Sequence, residues 1–318
     1  MRQGSSEGQA IISRRIQDVV LDLARAAMRR RRVRLWAVTL ALVVVALALP
    51  VAQPDWHWLA DMGINLPPLT VLLVFLAALC CEYVDSSLGM GYGTTLTPIL
   101  LAAGFEPLQI VPCVLLSECL TGVTAGVMHH RDGNVDLLRD RKARGTAILL
   151  SILSTVGAIV AVALAIRISK TYLTAGIGTI ILLMGVVIVA TIRRQLRYRP
   201  KHLIAIGAVA AFNKGLSGGG YGPLVTAGQV VSGVGPKQAV GITSLAEGLT
   251  SLVGVLAYVI ACRHLDWSLA VPLAAGALLS VPIATLTVRR LPEGVIRGVV
   301  GVLTIALGLL TLSRLLLR

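Results

Sequence analysis

Displaced by 129 residues, the chain matches itself without a gap, and this duplication constrains the fold more than any other feature of the sequence. Gly89, Gly91, Tyr92, Gly93, Thr97 and Gly104 fall on Gly218, Gly220, Tyr221, Gly222, Thr226 and Gly233. Pro107, Gln109, Val111, Leu116, Glu118, Leu120 and Thr121 fall on Pro236, Gln238, Val240, Leu245, Glu247, Leu249 and Thr250. Apolar composition cannot produce this agreement, because the shared residues include Gly, Pro, Gln and Glu. A self-match of this kind predicts two copies of one structural unit.

The units belong in lipid. Of 318 residues, 56% are hydrophobic and 14% charged, and the mean hydropathy is +0.83; soluble domains carry about 25% charged residues. Apolar segments run over 33–52, 68–84, 94–104, 107–128, 146–167, 170–192, 202–214, 223–233, 236–262, 267–288 and 294–316. The longer ones can cross a hydrocarbon core of about 30 Å as helices. The short ones read as half-helices or re-entrant pieces, which lipid tolerates only where protein or a polar cavity surrounds them. The expected fold is an all-α membrane protein with two inverted repeats, broken half-helices and one extra N-terminal span.

Charge sets the expected orientation. The net charge of +14 gathers in loops: Arg131, Arg139, Arg141, Lys142 and Arg144; Arg193, Arg194, Arg197, Arg199 and Lys201; Arg289 and Arg290. That distribution marks cytoplasmic loops rather than a nucleic-acid surface. The first unit then starts outside and the second inside, so the two are inverted. Residues 1–34 read as a basic amphipathic cytoplasmic N-terminus lying on an anionic leaflet. Residues 35–67 are an extra span, expected to stay as an anchor, with an external loop holding Trp56 and Trp58. The first repeat is 68–192, the linker 193–201 and the second repeat 202–318. This places the protein in the cell (inner) membrane with its N-terminus in the cytoplasm; a homo-oligomer is compatible with this. The five cysteines have no metal-like spacing and read as packing residues. No metal or other cofactor is expected.

Three groups of residues carry candidate chemistry. The glycine clusters Gly89-Met90-Gly91-Tyr92-Gly93 and Ser217-Gly218-Gly219-Gly220-Tyr221-Gly222 should break their helices. Their free N–H groups, beside a half-helix N-terminus, suit an anion. Thr94, Thr243 and Ser244 add hydroxyl donors. Glu118 and Glu247 each sit mid-segment, where an ionisable group costs about 2.5–3.5 kcal/mol on insertion scales, and read as coupling or gating residues. Asp85 aligns with Lys214: the two form a salt bridge across the symmetry axis, or Lys214 draws in the anionic substrate while Asp85 tunes it, or Asp85 and Glu82 lie near a membrane surface. His129 and His130 read as interfacial.

The doubled glycine segments, each followed by Pro-x-Gln and a long helix, together with Val240-Gly241-Ile242-Thr243-Ser244, resemble the TauE/SafE sulfite exporter-like family over residues 68–316. The resemblance implies two repeated halves and transport of sulfite, sulfonates or related organic anions. The first half departs from the pattern at Pro112-Cys113-Val114-Leu115. The expectation is a secondary transporter for a small anion, possessing no catalytic residues and working by alternating access with proton coupling. Two other classes compete: an ion channel or cation permease using the Glu pair, and an intramembrane enzyme with Ser217 as nucleophile, which lacks a histidine base nearby.

Overall fold

In the computed structural model, residues 34–51, 58–61, 63–165, 169–191, 236–262, 265–288 and 305–313 are described, with single positions 210, 214, 221, 222, 225, 226, 229 and 302. The basic segment 1–33, the linker 193–201 and Ser217, Gly218, Gly219 and Gly220 lie outside them. The described structure is helical, with no strand among the described residues. Its helices are α1 (Arg34–Val51), α2 (Trp58–Asp61), α3 (Pro68–Leu88), α4 (Tyr92–Ala102), α5 (Pro107–Arg131), α6 (Arg141–Ala165), α7 (Lys170–Thr191), α8 (Pro236–Cys262) and α9 (Trp267–Thr287). Five described helices, namely α1, α3, α5, α8 and α9, are long and apolar enough to cross a membrane. The chain divides into two compact units between Ala46 and Leu47; the first holds most of α1, and the second holds α2 to α9.

The expected half-helix is present in the first copy. α3 ends on Gly89, whose φ of 68° is left-handed and whose N–H bonds the Asp85 carbonyl at 2.6 Å. Gly91, at φ 130°, then starts the 11-residue α4. Only glycine accepts both conformations without strain. The break is narrower than the sequence suggested: Tyr92, Gly93 and Thr94 form the first turn of α4.

Polarity is arranged inside out. Ile148, Ile152, Val156 and Val160 form an exposed stripe at four-residue spacing on α6, and Leu249, Leu252 and Leu256 form one at three- and four-residue spacing on α8. Such a surface is stable against lipid, not water. Buried between the helices are Glu82, Asp85, Glu118, Glu247 and Lys214.

α5 and α8, the helices matched by the 129-residue shift, pack on each other. Leu115 meets Gly254, Glu118 meets Ser251, Gly122 meets Gly248, and Gly126 meets Leu245. One number rises as the other falls, so the helices are antiparallel. α5 also packs on α9, as α8 packs on α6. Two clusters carry the correspondence further. Cys81, Tyr92, Leu96 and Cys113 pack with Leu269 and Leu273 of α9. Ala210, Tyr221, Val225 and Ile242 pack with Ala143 and Ala147 of α6. This is the exchange of partners that two oppositely directed copies would produce.

Glycine permits the central crossing. A methyl group on Gly122 would sit 2.6 Å from the backbone of both Gly248 and Ser244, and backbone cannot yield. Gly122→Ala should therefore cost about 1–3 kcal/mol through overpacking. Gly145→Ala on α6, which faces open space, should cost nothing. Thermal unfolding of the two variants in detergent checks this.

Candidate functional site

The antiparallel crossing brings Glu118 and Glu247 to one point. Each sits mid-helix, and the Nζ of Lys214, which is 0% exposed, lies between them. It pairs with Glu118 Oε2 and, at 2.5 Å, with Glu247 Oε1. The Tyr221 ring centroid is 5.8 Å from the same ammonium, a cation–π distance. Ser251 Oγ donates to Glu118 Oε2 at 3.5 Å. The backbone N–H of Gly93, in the first turn of α4, also bonds Glu118.

Lys214 thus takes the two glutamates as partners, not Asp85. Asp85 is engaged elsewhere: its Oδ1 accepts from the Tyr92 N–H at 3.4 Å, capping the N-terminus of α4. Both Asp85 and Glu82 are buried in the protein. The helix-end dipole draws the Asp85 carboxylate to the half-helix, while the crossing of α5 and α8 leaves room for one cation between the glutamates. A carboxylate therefore caps the α4 N-terminus that the sequence reading offered to an anion.

The glycine segments of the two halves touch. A side chain on Gly222 would strike the carbonyl of Gly89 and come within 2.9 Å of Met90 Cα. Thr226 Oγ1 donates to the Gly89 carbonyl at 2.8 Å. Thr243 Oγ1 lies 2.9 Å from Thr226 Oγ1 and accepts from Gln229 Nε2 at 2.8 Å. Ser244 spends its hydroxyl on the Val240 carbonyl of its own helix, at 3.0 Å. Thr94 is buried at the break, and its hydroxyl has no hydrogen bond among the described residues; the same holds for Ser87 and Thr97.

Glu82, Ser117 and His129 were not predicted at this centre. Glu82, one turn before Ser86, accepts from Ser86 Oγ at 2.6 Å. Tyr92 and Ser117 share a hydroxyl bond of 2.7 Å. His129, in the last turn of α5, is buried in the protein. Its Nε2 bonds the Ser86 carbonyl at 3.0 Å, and a carbonyl only accepts, so Nε2 carries the hydrogen. Asn134 Nδ2 then donates to Nδ1 at 3.0 Å and to the Thr285 carbonyl at 3.2 Å. This neutral histidine ties α5 to α3 and, through Asn134, to α9. Spacing could have flagged Glu82, because it shares a helix face with Ser86; nothing local marks His129.

The family model described as Sulfite exporter TauE/SafE matches residues 74–311. The chain is also 29% identical over 245 residues to the probable membrane transporter protein YtnM of Bacillus subtilis (strain 168), across 72% of this chain and 79% of that protein. No solved structure matches.

The shared lysine yields a stability prediction. Lys214→Met strands two buried carboxylates and should cost about 3–5 kcal/mol. Adding Glu118→Gln and Glu247→Gln to it should restore most of that loss, because the uncompensated charges disappear. Unfolding of the single and triple variants at neutral pH measures the difference.

Proposed function

Since the chain belongs to the sulfite exporter TauE/SafE family, and is a multi-pass membrane transporter rather than an enzyme, we propose that it carries a small anion such as sulfite or a sulfonate by alternating access, loading protons with it. One observation carries this reading: the donors suited to an anion at the centre are held by the protein's own carboxylates. Glu118 takes Lys214 and the Gly93 N–H; Glu247 takes Lys214; Asp85 takes the Tyr92 N–H.

An incoming oxyanion competes with these carboxylates for the same donors. A carboxylate that accepts a proton becomes a weak acceptor and releases its partner. Protonation of Glu118 and Glu247 together therefore frees Lys214, and protonation of Asp85 frees the first turn of α4. The anion then occupies donors that were internally neutralised, and Thr94 and Thr97 offer further hydroxyls. Anion and proton move together, because either one alone leaves uncompensated charge in a site walled off from water. Lys214, Gly93 and Tyr92 bind; Glu118, Glu247 and Asp85 couple.

A second reading has support of its own. Among the described residues, four carboxylates are buried (Glu82, Asp85, Glu118 and Glu247) against one buried ammonium, that of Lys214. Such an acidic excess also suits a metal cation as the co-transported ion. A cation permease or channel would use the same residues with no anion.

Purified protein in liposomes should take up labelled sulfite, taurine or sulfoacetate when the loading side is acidified, in a saturable manner and without added sodium. Uptake that needs sodium and ignores a pH step would transfer the coupling to a metal cation. Cation current without saturable anion uptake would reject the main reading. The double variant Glu118→Gln, Glu247→Gln should flatten the pH profile of uptake, and Lys214→Ala should lower anion affinity at least tenfold, as expected for a lost charge-assisted bond.

A further inference from the structure

Two hydrogen bonds far from the centre repeat each other. Gln109 Nε2, in the first turn of α5, donates to Asp266 Oδ2. Gln238 Nε2, in the first turn of α8, donates to Asp140 Oδ2 at 2.5 Å. Each aspartate stands immediately before a helix and caps it through the other oxygen. Asp266 Oδ1 accepts from the N–H groups of Ser268 and Leu269 at the start of α9. Asp140 Oδ1 accepts from those of Lys142 and Ala143 at the start of α6.

Both glutamines lie nine residues before their glutamates, Gln109 before Glu118 and Gln238 before Glu247. At 1.5 Å per residue each bond is about 14 Å along its helix from the Lys214 centre. Because α5 and α8 are antiparallel, the two bonds flank that centre on opposite sides. Each one also crosses between the sequence halves: Gln109 reaches α9, and Gln238 reaches α6. Movement of one half against the other must break at least one of them.

We propose that Gln109–Asp266 and Gln238–Asp140 are the two gates of the transport cycle, one on each side of the Lys214 centre; this rests on the transport reading above. The basic residues Arg139, Arg141, Lys142 and Arg144 beside Asp140 put its gate on the cytoplasmic face. Opening either gate leaves the helix cap intact, since capping uses the other carboxylate oxygen. The backbone amides of Ala143 and Lys142 hold the Asp140 carboxyl below the usual carboxylate range. It therefore stays ionised at neutral pH, and the inner gate is a charge-assisted bond. The strength of such a bond lets substrate loading tip the balance between the two gates.

The test uses protein whose five cysteines are replaced by alanine and which carries Ser117→Cys, beside Glu118, as a reporter. Membrane-impermeant maleimide is applied to sealed vesicles of each orientation. Gln109→Glu and Gln238→Glu keep side-chain size and, for Gln109, the oxygen that accepts from the Glu106 N–H in the helix cap. Each replaces the donor with a carboxylate facing an aspartate. Gln109→Glu should speed labelling about tenfold from the Asp266 face only, and Gln238→Glu equally from the Asp140 face only, a shift of about 1.4 kcal/mol. Labelling that rises from both faces in either variant, or from neither face, overturns the gates. Labelled sulfite uptake by the parent, measured in parallel, separates the two claims. Sided labelling without uptake rejects sulfite transport and keeps the gates; uptake without sided labelling keeps transport and rejects them.

Discussion

A single ammonium group, that of Lys214, is shared by two carboxylates on antiparallel helices inside an apolar shell, and much of the structure follows from holding it there. Removing three charges from water is costly, and their attraction offsets the cost only when geometry is close. Close geometry requires α5 and α8 to cross at backbone contact, which Gly122 and Gly248 permit. It also requires Lys214 to be delivered from the second half at the level where the glycine segments meet. Gly222 against Gly89 and Met90, and Thr226 on the Gly89 carbonyl, fix that level.

The same cluster explains why the molecule is polar within and apolar without. In lipid, exposed leucine and valine cost nothing, whereas each buried polar group must find a partner. Most do: Asp85 caps α4, Glu82 takes Ser86, and His129 joins α3 to α5. Among the described residues, the hydroxyls of Ser87, Thr94 and Thr97, which lie beside or one turn beyond the helix break, find none, and neither does that of Ser280 on α9, so most unspent hydroxyl donors gather where backbone is already interrupted. Buried charge, unspent hydroxyls and an interrupted helix coincide there, as in membrane transporters built on broken helices.

Much of this was legible in the sequence. The 129-residue shift paired Glu118 with Glu247 and Tyr92 with Tyr221, and the half-helix α4 followed from the glycines around a short apolar segment. The same shift also misled. It set Asp85 opposite Lys214 and suggested that they bond, although equivalence under a two-fold operation does not entail contact. It hid the correspondence of Asp140 and Asp266, which are 126 residues apart rather than 129, because the loop before α6 is five residues longer than the loop before α9 while α5 is two residues shorter than α8. A gap-free comparison cannot see a feature that lies beyond a length change.

The sequence by itself determined the solvent, the duplication and the residue types at the centre, since hydropathy, glycine and a mid-segment glutamate act through local chemistry that any fold must respect. Only the tertiary structure decided which carboxylate meets Lys214, that the α4 N-terminus is capped by Asp85, and that His129 is buried. Those outcomes depend on where helices distant in the chain cross, and crossing positions are set by backbone approach at a few small residues, a property of pairs of segments that no single segment carries.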